Sequence, residues 1–216
     1  MKIAIIGATG FVGSALLSEA SARGHEIVAI ARNTEKIHQW GQVSARQVDV
    51  FDAEELAAAV AGCDVVISAF NGGWTNPDLY NVYLNGAQSI QKGVKAAGVK
   101  RFIVIGGAGS LEVAPGVQLV DTPEFPAEIK AGATAARDYL NILKEEQELD
   151  WSFVSPAIEM HPGTSGVRKN QYRVGKDSPV VDENGRSVLS VEDLAVAVIN
   201  EAEEPQHSRQ RFTVAY

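Results

Sequence analysis

Apolar positions along the chain follow two alternating rhythms. Short unbroken runs at Lys2–Ile6, 25–31, 64–70, 100–105 and Asp150–Ser155 have the length of strands and little polar alternation. That pattern suits strands covered on both faces of a parallel sheet. Residues 43–50 contain a further strand and 211–214 a last one. Between these runs the apolar residues recur at helical spacing. Val12, Ala15, Leu16 and Ala20 share one helix face, and Gly24 stops that helix. A short helix is expected around 35–38. An alanine-rich helix follows at 53–61, with Asp52 as its N-cap. Long helices are expected at 77–97 and 127–146. Ser190-Val191-Glu192-Asp193 resembles a capping box, with Asp in place of Glu, and opens a helix to about 201.

Strands alternating with helices over short connections predict an α/β fold: a doubly wound parallel sheet with helices on both faces. No internal repeat or low-complexity linker interrupts it, so residues 1–216 read as one domain. Regularity lapses twice. Residues 106–128 hold Pro115, Pro123 and Pro126 and read as a functional loop or lid. Residues 156–170 are irregular again. Short strands are expected at 172–174, 179–182 and 186–189, with Asn184-Gly185 as a hairpin turn. Residues 156–190 would then form a small substrate-side subregion of the same domain.

Charge and composition narrow the functional classes. The 216 residues are 45% hydrophobic and 21% charged, ordinary for a globular chain. A net charge of −8 argues against a general nucleic-acid or anionic-membrane binder. The single cysteine, Cys63, cannot form an internal disulfide, and no Cys/His spacing suits a metal. It begins a buried strand and reads as inert. The absence of a signal-like leader or a bilayer-length apolar run makes a cytoplasmic location the default expectation. Monomer and homodimer remain equally open.

The candidate chemistry begins where the first strand meets Gly7-Ala8-Thr9-Gly10-Phe11-Val12-Gly13. Gly7 permits a sharp turn, Gly10 admits phosphate to the backbone, and Gly13 lets a helix lie close to the sheet. The free N–H groups and positive dipole end of that helix would face the anion. Arg32 stands 19 residues beyond Gly13, at the tip of the second strand. An acidic residue there would favour NAD; an arginine suits a 2′-phosphate, so NADP is preferred and NAD remains possible. Lys36 is a potential helper or a plain surface charge. Asp49-Val50 ends the third strand, where Asp49 either accepts from adenine or starts the next helix. Ala69-Phe70-Asn71 ends the fourth strand, where backbone contact with the cofactor is favoured over a plain loop.

Ser110 follows the fifth strand, and its hydroxyl either faces the substrate or closes a turn. Pro156, Ala157 and Ile158 follow the sixth and would pack a nicotinamide. His161 is a candidate proton donor or a structural loop residue, and Glu159 has the same two readings. Trp74, Tyr80 and Tyr83 either wall a flat substrate or pack the long helix. A tyrosine–lysine acid pair would need i,i+4 spacing on the helix after the fifth strand. Lys130 has Pro126 at that spacing, and Tyr139 has Leu143. Tyr172 and Lys176 match the string but fall in a strand-like segment that contains Gly175. A ketone reductase needs such a donor; a flavin, quinone or tetrapyrrole reductase spreads the incoming charge over its acceptor.

Taken together, these segments resemble an atypical short-chain dehydrogenase/reductase. The nearest resemblance is to the NADH-flavin reductase-like group, related to biliverdin-IXβ reductase and more distantly to NmrA-type proteins. The resemblance covers essentially the whole chain. Its bearers are the opening thirteen residues, Ala31-Arg32-Asn33, Gly98-Val99-Lys100-Arg101-Phe102, Gly106-Gly107-Ala108-Gly109-Ser110-Leu111, Val113-Ala114-Pro115-Gly116, Leu149-Asp150-Trp151, Ser155-Pro156-Ala157 and Arg211-Phe212-Thr213-Val214. It implies a Rossmann fold, NAD(P) binding and flavin reduction, with FMN or FAD as substrate rather than cofactor. It also implies a phosphate role for Gly7, Thr9, Gly10, Phe11, Val12 and Gly13, a 2′-phosphate role for Arg32, and a place near the substrate for Ser110. The partner expected is a small planar acceptor. The alternative is an NmrA-like redox sensor that binds NADP(H) with little turnover. A sugar-nucleotide epimerase is less suited, since the length leaves little room for a large substrate domain.

Overall fold

The computed structural model describes residues 1–37 and 41–216. Its strands are β1 (Lys2–Ile6), β2 (Glu26–Ala31), β3 (Val43–Gln47), β4 (Val65–Ser68), β5 (Arg101–Ile105), β6 (Glu112–Ala114), β7 (Val117–Gln118), β8 (Asp150–Ser155), β9 (Arg173–Gly175) and β10 (Gln210–Ala215). The α-helices are α1 (Phe11–Ala22), α2 (Ala53–Val60), α3 (Leu79–Ala96), α4 (Ala127–Lys144) and α5 (Val191–Glu203). Eight strands form one sheet in the order β3-β2-β1-β4-β5-β8-β10-β9. Every neighbouring pair is parallel except β9, which runs antiparallel to β10. This is the Rossmann-like α/β sheet that the alternating rhythms predict.

The apolar runs are explained by two cores, one on each side of the sheet. Ile3, Ile5, Val65, Ile103 and Phe212 face α1 and α5 and pack with Leu16, Leu194 and Val198. The intervening Ala4, Ile6, Val66, Phe102 and Phe153 face the other way, with Leu56, Tyr83, Ile90 and Tyr139. Period-two alternation is therefore present, but both faces are buried and both are apolar. Asp52 caps α2 by accepting from the amides of Glu54 (3.1 Å) and Glu55 (2.9 Å). Gly24, with φ at 77°, closes α1 as the sequence suggests.

The direction in which successive strands are added reverses between β1 and β4, which themselves run parallel. β2 and β3 extend the sheet to one side of β1, and β4, β5 and β8 extend it to the other. Such a switch point opens a crevice at the carboxyl ends of the strands, where ligands bind in open α/β sheets. Among the described residues, no helix is long and apolar enough to cross a membrane.

Several local expectations are corrected. The short helix expected around 35–38 is a single turn, with Ile37 N–H donating to Thr34 O at 2.9 Å. Its last residue, His38, lies outside the described residues. Residues 106–128 are not irregular: 3-10 turns at Ala108–Ser110 and Leu119–Asp121 flank the β6–β7 hairpin. The hairpin expected across 179–189 does not form. Its turn exists, with Gly185 N–H donating to Asp182 O at 3.0 Å and Asp182 N–H to Arg186 O at 2.8 Å, but the pairing stops there and the second arm bridges elsewhere. Val188 bridges to Glu159 and accepts from Tyr216 N–H at 2.9 Å. Ser190 does cap α5, accepting from Asp193 N–H at 3.1 Å. The Asp193 carboxylate accepts from the Ser190 hydroxyl but not from its N–H, which donates to Tyr216 Oη at 3.4 Å. The carboxylate turns instead to the amides of Lys169 (3.0 Å) and Asn170 (2.8 Å).

Candidate functional site

The glycine turn is built from main chain. Gly7, at φ 79°, and Ala8 both donate to Ile30 O, at 2.9 and 3.1 Å, which fixes the turn against β2. A Cβ on Gly7 would stand 2.7 Å from Ala69 O, so the ends of β1 and β4 touch. A Cβ on Gly13 would stand 2.0 Å from Gly7 O. The first turn of α1 thus lies directly on the glycine turn, closer than any other residue permits. The first helical bond runs from Ser14 N–H to Gly10 O at 2.9 Å. Phe11, Val12 and Gly13 precede it, no side chain caps the helix, and no acidic residue occupies its first turn. Open amides, a positive dipole end and a space that a Cβ would fill fit a dinucleotide pyrophosphate. Thr9 and Gly10 are exposed beside them.

The other nucleotide-side candidates fall along the same edge. Arg32 is exposed one residue past β2, and no ion pair engages it among the described residues. Asp49 is exposed after β3 and accepts from Phe51 N–H at 3.0 Å, so its carboxylate has a turn role; Val50 beside it is buried. Ala69 and Asn71 flank Phe70 after β4, and Asn71 accepts from Gly73 N–H at 2.7 Å. The Phe70 ring turns away from the edge and stacks on Tyr83, with centroids 6.0 Å apart. Tyr83 is therefore packing, and burial pushes its phenol far above the ordinary range. Tyr80 donates to Asp138 at 2.7 Å, which raises its phenol, while Trp74 stays 58% exposed.

On the β5–β8 side the candidates are held by distant residues. Ser110 is buried, and its Oγ accepts from Arg211 Nη1 at 3.0 Å. Pro156 and Ala157 are buried, Ile158 is exposed, and its N–H donates to Ser187 Oγ at 3.3 Å. His161 is exposed. Its Nδ1 accepts from Gly163 N–H at 3.1 Å, capping a 3-10 turn at Pro162–Thr164. Glu159 is paired with Arg186, whose hydrogen bond holds the carboxyl below its usual range. The loop after β8 is pinned to α1 by Arg168, which donates from Nε and Nη2 to the buried Glu19, both at 2.9 Å. That bond holds the Glu19 carboxyl down against the opposing effect of burial.

The face of α4 turned toward the loop after β5 is small and apolar. Cβ atoms built on Gly107 and Gly109 would stand 3.9 and 3.0 Å from the methyls of Ala136 and Ala133. Tyr139 is fully buried and donates to Gln91 Oε1 at 3.1 Å; burial raises its phenol well above the ordinary value. Tyr172 lies just before β9, and its hydroxyl accepts from Asn200 Nδ2 at 2.7 Å. The residue that sequence reading passed over is Arg211. A lone charge inside the apolar strand Gln210–Ala215 was the available signal.

Comparison with known proteins agrees with this geometry. Residues 7–205 match the model of a family described as NAD(P)H-binding. An uncharacterised Bacillus subtilis protein, YwnB, is 38% identical over 99% of this chain and 98% of its own length. The structure of a proposed epimerase from Bacteroides thetaiotaomicron superposes with a TM-score of 0.92 at 46% identity, covering 100% of this chain and 96% of the other. That of a proposed NADH-flavin reductase from Streptococcus pneumoniae gives 0.87 at 34% identity, covering 100% and 99%. From its glycine turn to its last helix, the chain belongs to the NAD(P)H-binding family of Rossmann-fold proteins.

Proposed function

We propose that the protein is a cytoplasmic NADPH-dependent oxidoreductase that passes hydride to a flavin, a quinone or another planar conjugated acceptor. The observation that carries this reading is the alanine surface of α4. Ala133 and Ala136 stand against the loop after β5, and the only tyrosine of that helix is buried on Gln91. An ordinary ketone needs a proton donor matched to the developing alkoxide. A conjugated acceptor spreads the charge and takes its proton from solvent, so positioning suffices. The name of the Streptococcus relative points the same way.

Bound NADPH supplies the hydride. The chain's part is to hold and orient. The amides of Phe11, Val12 and Gly13 receive the pyrophosphate beside Thr9 and Gly10, and Arg32 takes the 2′-phosphate. Val50 and Asp49 border the adenine, and the backbone of Ala69–Asn71 lines the crevice between. Pro156, Ala157 and Ile158 pack the nicotinamide. Steady-state NADPH loss with FMN, FAD and quinones tests the reading. Saturable turnover of at least one is expected; none above background overturns it.

A second reading, a redox-sensing NADP(H)-binding protein with negligible turnover, is favoured by one observation. Glu159, a sequence candidate for proton donation, is paired with Arg186, whose hydrogen bond holds its carboxyl below the usual range and leaves it no proton to give. Calorimetry separates the two: a sensor distinguishes NADP+ from NADPH in affinity and consumes neither.

A further inference from the structure

Arg211 is a buried charge near the far end of the sheet from the glycine turn, with its side chain 6% exposed. Its Nη1 donates to Ser110 Oγ at 3.0 Å and to Ser155 Oγ at 3.4 Å. Its Nε and Nη2 donate to a single oxygen, Asp177 Oδ1, at 3.1 and 2.7 Å. Thr213 alternates onto the same face of β10 and lies in register with Ser155. It is fully buried, and its Oγ1 has no hydrogen-bond partner among the described residues. A guanidinium and two hydroxyls therefore meet near the carboxyl ends of β5 and β8, and the unsatisfied Thr213 stands beside Ser155 on the same face. Native interiors seldom leave such a group without a role.

The counter-charge is the least secure part of this cluster. Asp177 is 65% exposed and follows β9 in a bend. Its backbone is fixed, because Asp177 O accepts from Glu112 N–H at 2.7 Å. Side-chain rotation alone removes the carboxylate. A guanidinium offers a planar fork that matches phosphate and carboxylate. An incoming oxyanion that replaces Asp177 keeps the buried charge paired throughout.

We propose that Arg211, with Ser110, Ser155 and Thr213, binds an oxyanion, phosphate or carboxylate, carried by the acceptor, and that Asp177 holds its place when the site is empty. The inference rests on the reductase reading and narrows its acceptor to acidic planar molecules. FMN and riboflavin test it, since they share one ring system and differ by a phosphate. Binding to the protein loaded with NADP+ is followed by quenching of flavin fluorescence, and turnover by NADPH loss. FMN is expected to bind at least about tenfold tighter than riboflavin, the scale of one charge-assisted contact. Inorganic phosphate competes with FMN alone. Arg211→Met removes the preference by weakening FMN far more than riboflavin, Arg211→Lys keeps part of it, and Asp177→Asn tightens FMN. Equal binding of the two flavins by the wild type, or none, overturns the proposal, and turnover of both then leaves the reductase reading standing. Equal weakening of both flavins in Arg211→Met also overturns it and makes Arg211 a structural clamp. Arg211-dependent FMN binding without NADPH loss keeps the oxyanion site and overturns the reductase reading instead.

Discussion

On the β2–β1–β4 side of the switch point the working surface is main chain; on the β5–β8–β10 side it is side chains held by other side chains. Gly7, Gly10 and Gly13 shape the first with amides and carbonyls only a few residues apart. The second depends on Arg211 reaching Ser110 across 101 positions and Asp177 across 34. A site made of backbone presents the same donors whatever the acceptor, which suits a shared cofactor. One made of interlocked side chains changes with each substitution, which suits a variable acceptor.

The largest predicted break falls on the side-chain half. Glu201 is 3% exposed, accepts from Arg101 Nη2 at 2.6 Å, and also holds His207 at 2.8 Å. Glu201→Gln leaves the buried Arg101 short of its main counter-charge and is expected to lower stability by about 3–5 kcal/mol in urea unfolding. A change below ~1 kcal/mol would mean that Asp150, 3.5 Å from Arg101, suffices alone.

Acid reaches the same half next. Burial pushes the Glu146 carboxyl up. The amides of Glu148 and Leu149, Gln91 and Lys95 outweigh that and bring it down to about 2. A depressed carboxylate stabilises the fold above its unfolded pKa near ~4.3 and loses that contribution as pH falls through the folded value. Roughly 3 kcal/mol should vanish between about pH 5 and pH 2. Urea midpoints for Glu146→Gln should be flat over that window relative to the wild type; parallel curves would remove Glu146 from the acid response.

The nucleotide half breaks at one methyl. Gly13→Ala places a Cβ 2.0 Å from Gly7 O, a backbone atom that cannot swing aside. Overpacking alone costs about 1–3 kcal/mol. The glycine turn must also shift, so NADPH binding measured by calorimetry should be lost. Retained affinity would mean that the pyrophosphate does not sit on this turn. Arg32→Ala is milder. A charge-assisted contact is worth about 1.5–3 kcal/mol, so NADPH should weaken about 10- to 100-fold while NADH is unchanged. Equal losses for both nucleotides would take the 2′-phosphate away from Arg32.

This contrast also sets how much was legible in the sequence. The glycine turn, the Asp52 cap and the strand runs depend on residues close together in the chain, and local chemistry fixes them. The arms on either side of Asn184-Gly185 had the right turn and one bond between them, but the second found other partners, Val188 meeting Glu159 and Tyr216. Ser110 looked like an open loop hydroxyl because nothing near it announces Arg211. The β6–β7 hairpin was hidden by Pro115 and Gly116. It is only three residues against two, with exposed faces that carry no apolar periodicity.

The smallest predicted effect decides most about the chemistry. Tyr139 is the one tyrosine on α4, and its hydroxyl donates to Gln91 at 3.1 Å inside the α3–α4 core. If it serves only packing, Tyr139→Phe loses a single neutral hydrogen bond, about 1 kcal/mol of stability, and leaves turnover and its pH profile alone. Were Tyr139 instead the missing acid, the same change would lower turnover by about 100- to 10,000-fold and remove the basic limb of the pH–rate profile. Ala136 and Ala133 face the loop after β5 about one and two turns of α4 earlier, while the Tyr139 phenol points into the core. The stability loss without the kinetic one is therefore expected. It would place the choice of acceptor in the loops beyond β5 and β8 rather than in any acid on the helix.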